Sequence, residues 1–179
     1  AIMRAERENL RDPRSGLPSG RLIEDQLRRI IRLDDWAFMD VRINHFEPFK
    51  EVYGFVAGDD VLRFTAMLLG EVVDELGTPD DFIGHAGGDN FVIITAADKA
   101  EAIRTRLKER FAEEVKTQYN FIDREQGYIM ASDENGQLVQ TPLMTLAVGV
   151  VSPQEYAFAD IREITELAAE ARRKDAVTS

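Results

Sequence analysis

The stretch FIGHAGGDNFVIIT, residues 82–95, constrains the fold more than any other segment. Two short apolar runs, Phe82–Ala86 and Phe91–Thr95, flank Gly87-Gly88-Asp89-Asn90. β-rich runs separated by Gly, Asp and Asn are the sequence sign of a hairpin, because such turns need residues that tolerate positive φ. A lone hairpin is marginal in water, so further strands or helices must cover it. Paired glycines also let another molecule approach the backbone, since no Cβ stands in the way. The carboxylate of Asp89 and the amide of Asn90 follow at once, where both strands end. Taken alone, the stretch is a hairpin turn, and its wider meaning depends on its neighbours along the chain.

WAFMDVRIN (36–44) alternates like a strand. Trp36, Phe38, Asp40, Arg42 and Asn44 share one side, and Ala37, Met39, Val41 and Ile43 share the other. That first side turns polar toward the strand end, a layout suited to a site at a sheet edge or to a self-neutralising Asp40–Arg42 pair. Before it, DPRSGLPSGR (12–21) holds two prolines and two glycines and reads as a loop. Ser19 is a candidate cap for a helix whose Leu22, Ile23, Leu27, Ile30 and Ile31 fall on one face. HFEPFKEVYGFVAGDD (45–60) predicts one or two helical turns and then a loop. Asp59 is expected to start the next helix, which buries Val61, Leu62, Thr65, Leu68, Leu69, Val72 and Leu76. A further helix is expected over 98–117. Residues 120–151 read as strands, with YIMA and LVQT bracketing an Asn135-Gly136 hairpin turn near 128–141. MTLAVGVV (144–151) is apolar throughout and suggests a central strand covered on both faces. A final helix runs from Asp160, with Ile161, Ile164, Leu167, Ala168 and Ala171 on its buried stripe.

The alternation of helices with mixed strands implies an α/β fold on a mostly antiparallel sheet. Residues 1–11 read as the end of a helical linker, and residues 12–179 as one domain, long enough for a substantial core. A formal net charge of −11 argues against a nucleic-acid binder and makes any anionic ligand dependent on local donors or a metal. The absence of cysteine excludes disulfides and thiolate metal sites and suits a cytoplasmic setting. No run of about 18 apolar residues is present, so no membrane contact is expected. His45 and His85 are the only histidines and lack companions for a zinc set, so both read as structural or surface residues.

Four landmarks, in order and spacing, resemble the GGDEF domains, which as enzymes are diguanylate cyclases. DPRSGLPSGR (12–21) is similar to the entry motif DxLTGLxNR. FEPFKEVYGFVAGDDVL (46–62) is similar to FKxINDxxGHxxGDxVL. GGDNF (87–91) stands at the signature pentapeptide, and TLAVGV (145–150) resembles the TxSxGx strand. The resemblance implies a palm-like nucleotide cyclase fold: a central sheet of about five strands flanked by helices, with an extra hairpin near 128–141. In the family two GTP-loaded domains meet head to head and make cyclic di-GMP, with magnesium neutralising phosphate charge on carboxylates.

Several positions depart from that pattern. The strand-end metal aspartate corresponds to Arg42, and a guanidinium cannot ligate a cation. The phosphate-facing lysine corresponds to Glu47, and the guanine-reading pair to Lys50 and Glu51. The fourth signature position, normally acidic, is Asn90. The inhibitory product site RxxD corresponds to Thr78-Pro79-Asp80-Asp81, so only Asp81 of it is present. Asp89 survives as a candidate metal ligand. Asp40, on the same strand face as Arg42 and ~6.5–7 Å from it, is a second, deeper candidate, with an ion pair to Arg42 or a buried polar partner as its favoured structural role. Arg42, Asn44, Lys50, Glu51, Gly87 and Gly88 are the candidate nucleotide-contacting residues. The expectation is a degenerate GGDEF domain of a bacterial signalling protein, without cyclase activity, acting as a regulatory, nucleotide-sensing or dimerisation module. GTP or cyclic di-GMP are its expected ligands, magnesium its cofactor only where nucleotide binds, and an upstream sensor or receiver domain and a second copy its expected partners. An active diguanylate cyclase and a ligand-free scaffold are the competing readings.

Overall fold

The structure, a computed structural model, describes residues 10–178. Most of the expected N-terminal linker helix lies outside them. Within them Leu10 is a turn, and Arg11 bridges to Pro18 instead of continuing a helix. Strand β1 (Ala37–Asn44) is the spine of the molecule. It pairs antiparallel with β3 (Asn90–Thr95) on one side and with β6 (Thr145–Val151) on the other, and β2 (Phe82–Gly87) completes the hairpin with β3. The sheet therefore has four strands in the order β2-β3-β1-β6, all antiparallel, where about five were expected. β4 (Tyr128–Ser132) and β5 (Leu138–Pro142) pair only with each other, around Asn135-Gly136, whose glycine has φ 79°. This ribbon is a separate two-stranded sheet that reaches the main core through β4. Ile129 and Ala131 are buried, while only Thr141 of β5 is.

The period-2 pattern of β1 sorts the core into two layers. Ala37, Met39, Val41 and Ile43 join Phe91, Ile93, Leu146 and Val148 in the larger core. That core lies beneath α2 (Phe46–Tyr53), α3 (Phe55–Leu76) and α4 (Ala100–Glu114). Trp36 and Phe38 join Val92, Ile94 and Val151 beneath α1 (Gly20–Ile30) and α6 (Ile161–Thr178). Ser19 stands at the N-cap position of α1, its carbonyl accepting from Leu22 N at 2.9 Å. Among the described residues no helix is long and apolar enough to cross a membrane.

Three expectations need correction. β6 is an edge strand, not a central one. Helices α4 and α6 cover its two faces, and a doubly covered edge leaves the same unbroken apolar run as a central strand. Helix α3 begins at Phe55, not near Asp59: Gly54, at φ 94°, breaks the chain in one residue and the next helix starts at once. A short helix, α5 (Phe121–Gln126), precedes β4, its first turn capped by Asn120 Oδ1, which accepts from Asp123 N at 2.8 Å. The signal was there in Asn120 three residues before Asp123, but six residues are too few to show a periodic face.

Two features hold α6 on β6. A Cβ at Gly149 would lie inside van der Waals contact of the Ala168 carbonyl oxygen and the Arg172 amide nitrogen, so the helix backbone packs directly on the strand. Asp175 then reaches the open strand edge and accepts from Val148 N at 2.8 Å and from Lys108 Nζ at 2.8 Å, and it also pairs with Arg104. Burial raises the pKa of the Asp175 carboxyl, but these donors outweigh it and hold the carboxyl below the usual aspartate value.

Gly149→Ala should lower stability by about 1–3 kcal/mol through overpacking, measured by urea denaturation. Asp175 contributes stability that is present above the usual value of 3.8 and is lost as pH falls through its depressed folded value. Asp175→Asn should therefore lower Tm at pH 7, and the gap from wild type should close as both are taken below that value. A gap independent of pH would contradict this assignment.

Candidate functional site

The chain reverses at Gly87 and Gly88, with φ 134° and 51°, beside a register shift between His85 and Gly87. Neither glycine has a heavy atom within 4 Å of where a Cβ would sit, so the turn lies open. His85 fixes it from beneath. The imidazole is buried and stacks on Phe91 at 4.3 Å between ring centroids. Its Nε2 lies 2.8 Å from the Gly88 carbonyl, which can only accept, so Nε2 carries a proton. Nδ1 meets the Ser15 hydroxyl at 2.8 Å, and Asp12 Oδ2 lies 3.4 Å away. Asp12 is itself held by Arg14, at 2.9 Å from Nη2. His85 N also donates to Pro18 O at 2.8 Å. The 12–18 loop and the turn are thus one bonded unit, and His85 has the structural role expected of it. His45 heads α2 with φ 66°, a left-handed conformation.

The polar side of β1 meets this turn. Asp40 is buried and accepts from Asn90 Nδ2 at 2.6 Å and from Arg172 Nε of α6 at 3.1 Å. Asn90 also donates to Val41 O at 2.9 Å. Burial pushes the Asp40 carboxyl above the usual aspartate range, against the opposing pull of Arg172 and Asn90. Of the two structural roles expected of Asp40, an ion pair with Arg42 or a buried polar partnership, the structure shows the second, with Asn90 and Arg172. β1 puts Asp40 under α6, and Arg42, two residues further on, turns to the hairpin instead.

Arg42 Nε stands 3.4 Å from Asp89 Oδ1. Burial raises the Asp89 pKa and Arg42 lowers it, leaving the carboxyl above its usual range. Asn44 Nδ2 donates to Thr145 Oγ1 at 3.0 Å. Lys50 pairs with Glu47 at 3.2 Å and lies over the Phe46 ring. Glu51 is exposed. Arg42, Asp89, Glu47 and Phe46 line one cavity of about 340 Å³. Asp81 lies elsewhere and closes its own turn, accepting from Thr78 N at 2.9 Å, Thr78 Oγ1 at 2.6 Å and Thr95 Oγ1 at 2.8 Å.

Of the expected site residues, Arg42, Asp89, Gly87, Gly88 and Asn90 come together; Asp40 sits behind them, and Asn44 is tied to β6. Arg172 is the residue that sequence reasoning missed as part of the site. Arg172 lies 132 positions from Asp40, and only the close approach at Gly149 hints at it.

The sequence model for "Diguanylate cyclase, GGDEF domain" matches residues 9–171. The chain belongs to the GGDEF family. It is 36% identical over 104 residues to diguanylate cyclase DgcP of Pseudomonas aeruginosa, covering 55% of this chain and 15% of that protein. It is 26% identical over 125 residues to the probable diguanylate cyclase DgcT of Escherichia coli, covering 68% of this chain and 23% of that protein. It thus spans less than a quarter of the length of these relatives. The GGDEF domain of DgcB from Caulobacter crescentus, solved with its coiled coil and c-di-GMP, superposes with TM-score 0.69 at 20% identity, covering 99% of this chain and 86% of that one. The FimX GGDEF domain of Pseudomonas aeruginosa gives TM-score 0.65 at 15% identity, covering 95% of each chain. At these identities the structural likeness establishes the fold.

GGDEF cyclase domains generally use magnesium for nucleotide binding. Magnesium asks for hard oxygen ligands in octahedral array. Here the Asp40 carboxylate is engaged by Arg172 and Asn90, and Asp89 faces a guanidinium. Among the described residues no group of three or more His, Asp or Glu side chains converges to hold a metal. The donor set does not fit the ion.

Removing Arg172 leaves the Asp40 carboxylate buried without its cation. Arg172→Ala should cost about 3–5 kcal/mol in urea denaturation. Pairing it with Asp40→Leu should recover much of that loss, and a double variant no more stable than Arg172→Ala would contradict the ion-pair account.

Proposed function

We propose that this GGDEF domain serves a bacterial signalling protein as a regulatory module without diguanylate cyclase activity. The observation that carries the reading is the Arg42–Asp89 ion pair. Phosphoryl transfer of the cyclase kind relies on positioning and on neutralising phosphate charge, and a cation bound to carboxylates usually does the latter. With Arg42 at the strand end, the remaining carboxylate is matched to a fixed side-chain cation instead. Glu47, at the place of a phosphate-facing lysine, adds negative charge beside the same cavity. Lys50 offers no amide edge to a guanine. Thr78 occupies the arginine position of the inhibitory site and is bonded to Asp81, which supports loss of product inhibition as well.

The open Gly87-Gly88 turn favours a second element of the reading: nucleotide sensing without turnover, with Arg42 as the counter-charge to phosphate. GTP and cyclic di-GMP are the ligands to examine, the latter because the DgcB structure holds c-di-GMP. Dimerisation and an upstream sensor or receiver domain belong to the same proposal.

Incubation with GTP and magnesium or manganese should give no cyclic dinucleotide by chromatography. A product peak that disappears in Asp89→Ala would establish an active cyclase and overturn the reading. Calorimetry with GTP and cyclic di-GMP, with and without magnesium, tests the sensing element; absence of heat with every nucleotide removes it.

A further inference from the structure

The imidazole of His85 joins two segments that lie far apart in the chain, and only one of its nitrogens is free to change state. Nε2 faces the Gly88 carbonyl at 2.8 Å and keeps its proton whether the ring is neutral or charged. Titration therefore falls on Nδ1, which stands 2.8 Å from Ser15 Oγ and 3.4 Å from Asp12 Oδ2. With the ring neutral, Nδ1 accepts from the Ser15 hydroxyl. With the ring charged, Nδ1 donates, and its charge faces the Asp12 carboxylate. Ser15 Oγ, which also accepts from Leu17 N at 3.3 Å, then turns its own hydrogen elsewhere. The ring and Asp12 are both buried, so water screens the pair little. Burial raises the Asp12 pKa, but Arg14 and His85 hold it below the usual aspartate value, so the carboxylate is ionised when the ring gains its proton. Arg14 binds the same carboxylate at 2.9 Å, and Asp59 of α3 acts on Arg14. The other neighbours are uncharged: β3 presents the Phe91 ring, the turn presents the Gly88 carbonyl, and α1 meets β2 through Ile23 at Gly84.

We propose that His85 is a proton-operated latch between the 12–18 loop and the Gly87–Asn90 turn. Proton uptake at Nδ1 adds a buried ion pair with Asp12 to the Ser15 contact. Proton release leaves the hydroxyl bond and the backbone bond from His85 N to Pro18 O. Histidine suits the task because it is the side chain whose charge ordinarily changes near neutral pH. Arg14 competes with the ring for Asp12. Its side chain is 35% exposed, so it can turn part of its charge to water when the ring is charged. The turn is open at both glycines, so the latch sets backbone that stands free on its other side.

NMR titration of the imidazoles follows the latch directly. His45 is the other histidine of the chain, and His45→Asn, to a residue that tolerates the left-handed backbone there, assigns the two signals. The His85 signal should titrate, and the amides of Gly16 and Gly88, on the two sides of the latch, should shift with the same midpoint. Asp12→Asn should lower that midpoint by about 1–3 pH units, the range that an opposite charge at this distance supplies. Arg14→Gln should raise it, because Asp12 then faces the ring without a competing cation. A merely structural contact would not move the midpoint in opposite directions. Arg14→Gln also keeps the test decisive if Asp12→Asn does not fold. A ring that keeps one protonation state throughout the folded pH range overturns the proposal. So does a midpoint that either folded variant leaves unmoved, or loop and turn amides that titrate separately. Neither cyclase activity nor nucleotide binding enters these measurements.

Discussion

A single buried carboxylate organises the centre of this domain. Asp40 sits inside the sheet layer, where a charge without partners costs several kcal/mol. Arg172 must therefore come in from α6, and it can do so only because Gly149 lets the helix backbone lie on the strand opposite Asp40. The other partner is the fourth residue of the signature turn. An amide can donate to a carboxylate, whereas an ionised acid at the same place would repel it. Asn90 is thus the residue type that an ionised Asp40 asks for, and the departure from an acidic fourth position follows from the strand beneath it.

The same compensation recurs around the turn. Arg42 finds Asp89, Glu47 finds Lys50, and Thr78 finds Asp81. The Glu47–Lys50 pair is largely solvent-exposed and contributes little to stability, about 0–1 kcal/mol, whereas Asp89 of the first pair is mostly buried. Their significance lies in charge placement. Each charged side chain at the cavity is thus matched to a neighbour of opposite sign.

Much of the fold was legible because it is written in local periods. The alternation of β1, the stripes of α1 and α3, the Gly87–Asn90 turn and the Asn135-Gly136 turn all survive in three dimensions. Side-chain sharing along β1 was legible too, including the polar run Asp40, Arg42, Asn44. The place of β6 was not, since a strand's apolar pattern records what covers its faces and not how many neighbours it has. Nor was the partner of Asp40. Sequence spacing suggested Arg42, the nearest cation on the same face, but α6 supplies a guanidinium from the far end of the chain. The start of α3 was missed because Gly54 alone turns the chain, and composition over 45–60 suggested a longer break.

The buried imidazole beneath the signature turn has one more consequence. Two adjacent glycines ordinarily give a loop many accessible conformations, and a ligand that needed one of them would have to restrict the rest. Here the Gly88 carbonyl is held by His85, and His85 by Ser15 and the 12–18 loop. Folding has thus already restricted the conformation of the turn. Any displacement of the 12–18 loop is conveyed to it through the His85 ring and the His85–Pro18 backbone bond.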